Sequence, residues 1–106
     1  MVEPITKMIA SYFQALSHPT RIEILQLLKG RNEMCVCEIV GELKKDQSCI
    51  SRHLIALKRA GVVEFRGEGV RSFYKVKHKD VDKILDLVKS ILHEQVKEGQ
   101  KILEAF

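Results

Sequence analysis

The spacing of apolar positions predicts a run of short helices in the first half of the chain. Apolar side chains recur every three or four positions over residues 3–16, as in an amphipathic helix. The segment Ser17-His18-Pro19-Thr20 interrupts this pattern, and Pro19 suits the first turn of a second helix that ends near Gly30. A third, short helix is expected from Cys37 to Leu43, before a polar turn at residues 44–46.

A fourth helix carries the most informative pattern. Ile50, Leu54 and Leu57 fall on one buried stripe, and Gly61 ends the helix. Ser48, Arg52 and Arg59 lie opposite this stripe, with Gln47, Ser51 and His53 on its flanks. Such groups contact base edges and phosphates in a major groove, so a short helix, a tight turn and this helix predict a helix-turn-helix.

Two strands are expected next, over Val62–Arg66 and Val70–Val76, with Gly67-Glu68-Gly69 as the hairpin loop. Arg66 and Arg71 flank this loop. Beside a helix-turn-helix, the hairpin is interpreted as a wing that contacts the DNA backbone or a minor groove. A hairpin that only stabilises the fold is the alternative.

The last predicted helix runs from about Asp80 to Ala105 and carries more apolar surface than one small chain can bury. Packing against the same helix of a second copy, with help from the first helix, is the economical solution. The expected architecture is therefore mainly α with a β-hairpin wing. We predict one winged helix-turn-helix domain over residues 1–106, dimerised through its terminal helices.

Length and charge narrow the function. A chain of 106 residues has no room for a catalytic domain beside a regulator, and neither a phosphate-binding glycine loop nor a Ser/His/Asp arrangement is present, so no enzyme is expected. The net charge is +4, but residues 47–79 alone hold eight basic and two acidic side chains, a balance of +6. Clustered positive charge is typical of a nucleic-acid-binding surface, although a solvated basic face without a partner is the alternative.

The segment Met1-Val2-Glu3-Pro4 lacks a secretion-signal pattern and no apolar run could span a bilayer, which predicts a cytoplasmic protein without membrane association.

Three cysteines remain: Cys35, Cys37 and Cys49. An odd number of cysteines in a chain without an export signal argues against a disulfide framework. The simplest interpretation of each cysteine alone is a small, buried apolar residue. Cys35 and Cys37 together form a soft donor pair, suited to thiophilic metals. Residues two apart on a regular helix project about 200° from each other, so both sulfurs reach one ion only if the helix start unwinds or bends.

Four segments resemble the ArsR-type family of winged-helix repressors. They are the second-helix segment Leu16–Leu25, the box Met34-Cys35-Val36-Cys37-Glu38-Ile39, the recognition-helix segment Asp46–Leu54, and the wing Gly67–Tyr74. The resemblance implies a dimer that binds an operator and leaves it when a toxic soft metal or metalloid binds the cysteine pair. It further implies base contacts from Gln47, Ser48, Ser51 and His53, and phosphate contacts from Arg52, Arg66 and Arg71. A satisfied, partly buried histidine is the alternative for His53.

The same resemblance indicates where this chain departs from the family. Arsenic sensors add a third cysteine where Val40 stands here, and residues 1–34 hold none of the cysteines that cadmium and lead sensors use. Arsenite or antimonite is the expected inducer, with Cys49 or a small-molecule thiol as a further ligand, unless Cys49 is a bystander. The family's zinc site on the last helix retains Asp80 and His93 but lacks its other ligands, so it is not expected to be the sensor.

Two mechanisms remain open. In the first, metal binding draws Cys35 and Cys37 together, distorts the start of the third helix and moves the helix-turn-helix relative to its dimer mate. In the second, the protein is a DNA-binding regulator that senses redox state through cysteine oxidation. Cys49 lies one helical turn before His53, where a protonated imidazole would lower the thiol pKa and favour oxidation.

Overall fold

The computed structural model of the protein describes residues 3–105. Within this range the elements are α1 (Pro4–Leu16), α2 (Pro19–Leu28), β1 (Met34–Cys35), α3 (Val36–Leu43), α4 (Gln47–Arg59), β2 (Val63–Glu68), β3 (Arg71–Val76) and α5 (Asp80–Glu104). The predicted helices and the hairpin are therefore confirmed, with boundaries within a few residues. Three residues of the predicted domain lie outside the described residues: Met1, Val2 and Phe106. Met1 and Val2 also belong to the segment that was tested for a secretion signal.

Local signals in the sequence explain where α1 and α2 end and begin. Pro4 and Pro19 each stand in the first turn of a helix, where the missing N–H costs no hydrogen bond. The backbone N–H of Thr20 donates to Nδ1 of His18 at 3.1 Å, so the imidazole caps α2. Gly30 follows α2 with a φ of 76°, a left-handed conformation that glycine adopts without steric cost.

The helix-turn-helix consists of α3, a short turn and α4. The turn begins at Lys44, whose φ of 54° is left-handed. Asp46 occupies the N-cap position of α4, but its side chain accepts no capping hydrogen bond. Ile50, Leu54 and Leu57 are fully buried, as their spacing predicts. This burial fixes the rotation of α4 about its axis and turns its polar face outward.

The first strand of the wing extends two residues further than the sequence predicts, and the turn is displaced. Gly67 pairs with Ser72 and Glu68 pairs with Arg71, so the two strands continue to a two-residue turn at Gly69-Val70. The predicted loop Gly67-Glu68-Gly69 is therefore wrong. Gly69 has a φ of 60° at the first turn position, where two-residue hairpins of type II′ place glycine to match the twist of their strands.

The short strand β1 was not predicted. It pairs antiparallel with β3, with Met34 opposite Tyr74 and Cys35 opposite Phe73, which gives a three-stranded sheet in the order β1-β3-β2. Two residues are too few to show an alternating pattern. The consequence is that the cysteine segment belongs to the same sheet as the wing.

One hydrophobic cluster, drawn from all helices and from the sheet, forms the core of the described residues. Only the start of α5 joins it, through fully buried Val81 and partly buried Leu85. A bidentate contact of Lys29 Nζ with the Asp86 carboxylate, 2.8 and 3.0 Å, adds a polar link from α2 to α5. Between residues 3 and 105, no helix combines the length and the apolar character needed to cross a bilayer.

Candidate nucleic-acid interface and cysteine pair

The outward face of α4 presents the polar groups expected of a recognition helix. Gln47, Ser48 and Arg52 are exposed, and Ser51 is half-buried on the side that faces the wing. Near the C-terminal end of α4, Nζ of Lys58 lies 4.7 Å from the centroid of the Phe65 ring on β2, a cation–π contact. The positive charge of α4 therefore continues towards the wing.

His53 is placed differently from the other predicted base-contacting residues. Its Nδ1 accepts a hydrogen bond from Nε of Arg21 at 3.1 Å, and its ring centroid lies 4.3 Å from that of His18. Burial, followed by repulsion from His18, Arg21 and further cations, lowers the pKa of His53 below 6.5. The geometry favours the alternative of a satisfied, partly buried histidine that joins α4 to the turn between α1 and α2.

The two wing arginines are also placed differently. Arg66 donates to both carboxylate oxygens of Glu33 and to Glu68 at 2.6 Å, and its guanidinium lies 4.6 Å from the centroid of the Phe73 ring. These hydrogen bonds raise the pKa of Arg66, and the same contact lowers the pKa of Glu33. Arg71 is exposed beside the turn, and no carboxylate within residues 3–105 forms an ion pair with it. Arg71 is thus the wing arginine whose charge is available to an anion.

Cys35 and Cys37 are joined as a disulfide, with their Cα atoms 5.3 Å apart. The expectation that this chain contains no disulfide is therefore wrong for the pair. Cys35 lies ahead of α3 in an extended conformation, with φ −75° and ψ 152°, whereas Cys37 lies in the first turn of the helix. Because the two residues straddle the helix start, their sulfurs meet while α3 begins regularly at Val36, and no unwinding is needed.

Cys35 has three structural roles: it is part of the core, it belongs to the sheet, and it caps α3. It is 3% exposed in the core, it pairs with Phe73 of β3, and its Sγ accepts the backbone N–H of Cys37 at 3.2 Å. The carboxylate of Glu38 reciprocates by accepting the backbone N–H of Cys35 at 3.0 Å, which completes a capping box. A change at this sulfur therefore acts on α3 and on the wing sheet together.

A cleft of about 180 Å³ lies between the cysteine pair, the N-terminal part of α4 and the wing turn. Its walls include Cys35, Cys37, Gln47, Ser51, Arg71 and Ser72. Three of these residues belong to the predicted DNA-contacting set. The structure thus brings the candidate sensor and part of the candidate DNA surface into one site.

The remaining candidate ligands do not complete a metal site with the pair. Cys49 is a free, half-buried thiol near the start of α4, and Asp80 and His93 stand at different heights on α5. Among the residues that the structure describes, no three His, Cys, Asp or Glu side chains cluster as metal ligands would. Within one chain, the cysteine pair would offer two thiolate donors once its disulfide is reduced.

Arg21 and Glu33 were not singled out by the sequence. Arg21 contacts His53 across 32 positions, and Glu33 contacts Arg66 across 33. Such partners are set by how α2, α4 and the sheet pack, and no local pattern indicates them.

Known proteins with similar sequences and structures agree with this architecture. The family model for bacterial regulatory proteins of the arsR family matches residues 18–64. The uncharacterized HTH-type transcriptional regulator MJ1325 of Methanocaldococcus jannaschii is 48% identical over 79 residues, which cover 74% of this chain and 89% of that protein. A homolog of the cadmium resistance transcriptional regulatory protein CadC from Staphylococcus aureus is 31% identical over 82% of this chain and 70% of its own length.

Among solved structures, the homodimeric winged helix-turn-helix DNA-binding domain Mb0332 of Mycobacterium bovis, a possible ArsR-family regulator, superimposes with a TM-score of 0.75. It is 32% identical, and the match covers 85% of this chain and 82% of that one. The helix-turn-helix, the wing and these relatives lead to one conclusion. The chain belongs to the ArsR family, whose members are DNA-binding transcriptional regulators with a winged helix-turn-helix fold.

Proposed function

We propose that this protein is a transcriptional repressor that binds operator DNA as a homodimer and is released when a soft metal or metalloid binds Cys35 and Cys37. The observation that carries the proposal is the position of the pair. Cys35 caps α3, pairs with β3 of the wing and lines the same cleft as Gln47, Ser51 and Arg71. A ligand bound to these sulfurs would therefore lie next to the DNA-binding elements.

The proposed DNA surface consists of the exposed face of α4 and the turn of the wing. Gln47, Ser48 and Ser51 supply amide and hydroxyl groups for base edges, while Arg52 and Arg71 supply charge for phosphates. Arg66 must exchange one of its carboxylate partners to bind phosphate, and His53 must give up Arg21 to reach a base. We therefore rank these two residues below the others as DNA contacts.

Dimerisation is supported by apolar surface that the described chain does not cover. The residues concerned are Ile5, Met8, Ile9 and Phe13 on α1, and Leu87, Val88, Ile91, Leu92, Val96, Ile102 and Leu103 on α5. Exposed apolar patches of this extent mark interaction surfaces. Binding to two successive major grooves requires that a twofold axis pairing α1 and α5 of two copies put both α4 helices on one side of the dimer.

The chemistry of the pair indicates the class of inducer. Two thiolates suit arsenite, antimonite and other thiophilic ions, and disfavour magnesium and calcium. The pair fits such an ion as two of its ligands, and a third comes from Cys49 after rearrangement or from a small-molecule thiol. The sulfur of Cys35 that would bind the ion is also the cap of α3. A coupling of about 1–3 kcal/mol between the two sites would weaken DNA binding roughly 5- to 150-fold.

A second candidate is a redox-responsive regulator. The specific observation in its favour is the Cys35–Cys37 disulfide, which requires no other chain and leaves α3 regular. In this version oxidation of the pair, rather than metal binding, sets the DNA affinity.

Release of a fluorescent fragment from the protein's own promoter distinguishes these versions. Under reducing conditions, arsenite should release the wild type, while Cys35→Ser and Cys37→Ser should stay bound. Cys49→Ser should also stay bound if Cys49 supplies the third ligand, and should be released like the wild type if a small-molecule thiol supplies it. Serine is a strong N-cap residue, so Cys35→Ser keeps the helix start and removes only the thiolate. Release by a thiol oxidant without any effect of metals favours the redox version. Full arsenite release in both pair variants would contradict the proposed sensor.

A further inference from the structure

The cleft beside the cysteine pair combines three features that a binding site for a small anionic thiol needs. It is open to solvent at Cys37, whose side chain is exposed, while the Cys35 sulfur beside it is buried. Arg71 on its rim has no carboxylate partner within residues 3–105. Ser51, Ser72 and Gln47 add neutral hydrogen-bonding groups.

The dimensions set the size of an occupant. The volume of about 180 Å³ is many times the minimum of about 10–15 Å³ that holds one water molecule. This accommodates a thiol with a short chain and one carboxylate. Arg71 matches a carboxylate by paired hydrogen bonds as well as by charge.

We infer that this cleft is a modification site, in which Cys37 forms a mixed disulfide with a small carboxylate-bearing thiol whose carboxylate binds Arg71. This deepens, and rests on, the proposed function, since the adduct, until Cys35 resolves it, would occupy the space between Gln47, Ser51 and Arg71 that operator DNA needs. The co-reactant is the symmetrical disulfide of that thiol.

The bond changes balance without another oxidant. In the reduced protein, where the Cys35–Cys37 disulfide is open, the Cys37 thiolate attacks one sulfur of the small disulfide. A new sulfur–sulfur bond forms at Cys37, and the other half leaves as a thiolate. The thiolate of Cys35 then attacks Cys37, which closes the Cys35–Cys37 disulfide and expels the second small thiolate. The exposed sulfur thus receives the incoming group, and the buried one resolves the adduct.

The test uses full-length protein with a single thiol. Cys35→Ser with Cys49→Ser leaves Cys37 alone and prevents resolution, while Cys37→Ser with Cys49→Ser leaves only buried Cys35. Reduced protein is treated with dithiodiglycolate, which is anionic, or with bis(2-hydroxyethyl) disulfide, which is neutral, and intact mass reports the adduct. The Cys37 protein should react at least tenfold faster than the Cys35 protein with either reagent.

Arg71→Gln in the Cys37 protein supplies the selectivity test. It should slow the anionic reagent about three- to fivefold and change the neutral reagent less than twofold, whereas Arg59→Gln on α4 should leave both rates within twofold. Equal slowing of both reagents by Arg71→Gln, or no slowing, would overturn the site. These outcomes do not depend on DNA.

The adducted and unmodified Cys37 proteins are then compared for binding to the promoter fragment. At least tenfold weaker binding of the adduct supports the regulatory role. Unchanged DNA affinity after complete modification would overturn that role. If the unmodified wild type binds no operator, the proposed function fails while the mass measurement still decides the cleft.

Discussion

Nδ1 of His53 in the recognition helix accepts a hydrogen bond from Nε of Arg21 in α2, 3.1 Å away. The ring of His53 also lies 4.3 Å from the ring of His18, which caps α2. A second bond from Arg21, to the carbonyl oxygen of Ala15 at 3.1 Å, connects the same cluster to α1. In addition to core packing, one imidazole therefore gives the helix that presents side chains to DNA a polar link to the N-terminal helices.

This cluster predicts that acid destabilises the fold. The folded-state pKa of His53 lies below its ordinary value of 6.5, so the unfolded chain binds more protons between these two values. The stability that neutral His53 contributes to the fold is therefore fully present above about pH 6.5. It is lost as the pH falls from there towards the folded-state pKa. Protonation of Nδ1 also removes the acceptor that Arg21 uses. The groups that face His53 with charge are His18, Arg21, Arg52 and Lys45, all of them basic.

Urea denaturation at pH 7.5 and pH 5.5 measures this effect at a fixed protein concentration. His53→Gln should lose less stability between the two values than the wild type. His93→Gln, at an exposed position of α5, should follow the wild type. An unchanged pH dependence in His53→Gln would show that the cluster does not sense protons.

The burial of α4 predicts a large difference between neighbouring substitutions. Leu54 is fully buried, and Leu54→Ala should lower the free energy of unfolding by about 2–5 kcal/mol through lost transfer energy and a cavity. Ile55, next in the chain, is 42% exposed, and Ile55→Ala should cost under about 1 kcal/mol. Urea midpoints at one protein concentration report both values. Similar losses in the two variants would contradict the orientation of α4.

The contact between Glu33 and Arg66 predicts a gain in DNA binding when the carboxylate is removed. Glu33→Gln leaves Arg66 only Glu68 as an anionic partner and removes a negative charge next to the wing. Affinity for the promoter fragment at low salt should rise about two- to fivefold, the range of an exposed ion pair. Glu94→Gln, an equal charge change on α5, serves as the control and should alter binding less. Weaker binding of Glu33→Gln would mean that the ion pair holds the wing in its DNA-binding form.

The apolar face of α5 predicts a dimer that one charge disrupts. Ile91 is 56% exposed in the single chain, and Ile91→Glu would bury an unpaired carboxylate in the proposed interface. Sedimentation should show the dimer dissociation constant rising at least tenfold. Lys89→Glu on the same helix changes charge at a position that is polar already and should remain dimeric. A wild type that sediments as a monomer at micromolar concentrations would refute the interface.

Helices and turns were predictable because local patterns determine them. The buried stripe of α4, the prolines that open α1 and α2, and the glycines after α2 and α4 all act within a few residues. The wing was predicted, but its loop was expected at residues 67–69, whereas the turn lies at Gly69-Val70. The glycine at 67 suggested a loop, whereas cross-strand pairing with Ser72 extended the strand through it.

The candidate site was predictable as a set of residues, but its internal contacts were not. The resemblance supplied the cysteine pair and the recognition-helix residues by position in the sequence. It did not indicate that Cys35 would belong to the wing sheet or that Arg66 would bind Glu33, because both contacts depend on how distant segments pack. The disulfide was missed because the odd number of cysteines and the absence of an export signal were taken as arguments against one. The position of Cys35 in extended backbone ahead of the helix, where its sulfur meets that of Cys37, was not predicted.

The salt dependence of operator binding tests the central claim that the exposed face of α4 binds duplex DNA. Fluorescence anisotropy with the protein's own promoter fragment, reduced protein and a series of salt concentrations gives the slope of log affinity against log salt. We predict a steep linear decrease for the wild type, and for Arg52→Gln weaker binding with a slope smaller by about one. Affinity that does not change with salt, or an Arg52→Gln protein with the wild-type affinity and slope, would contradict the claim.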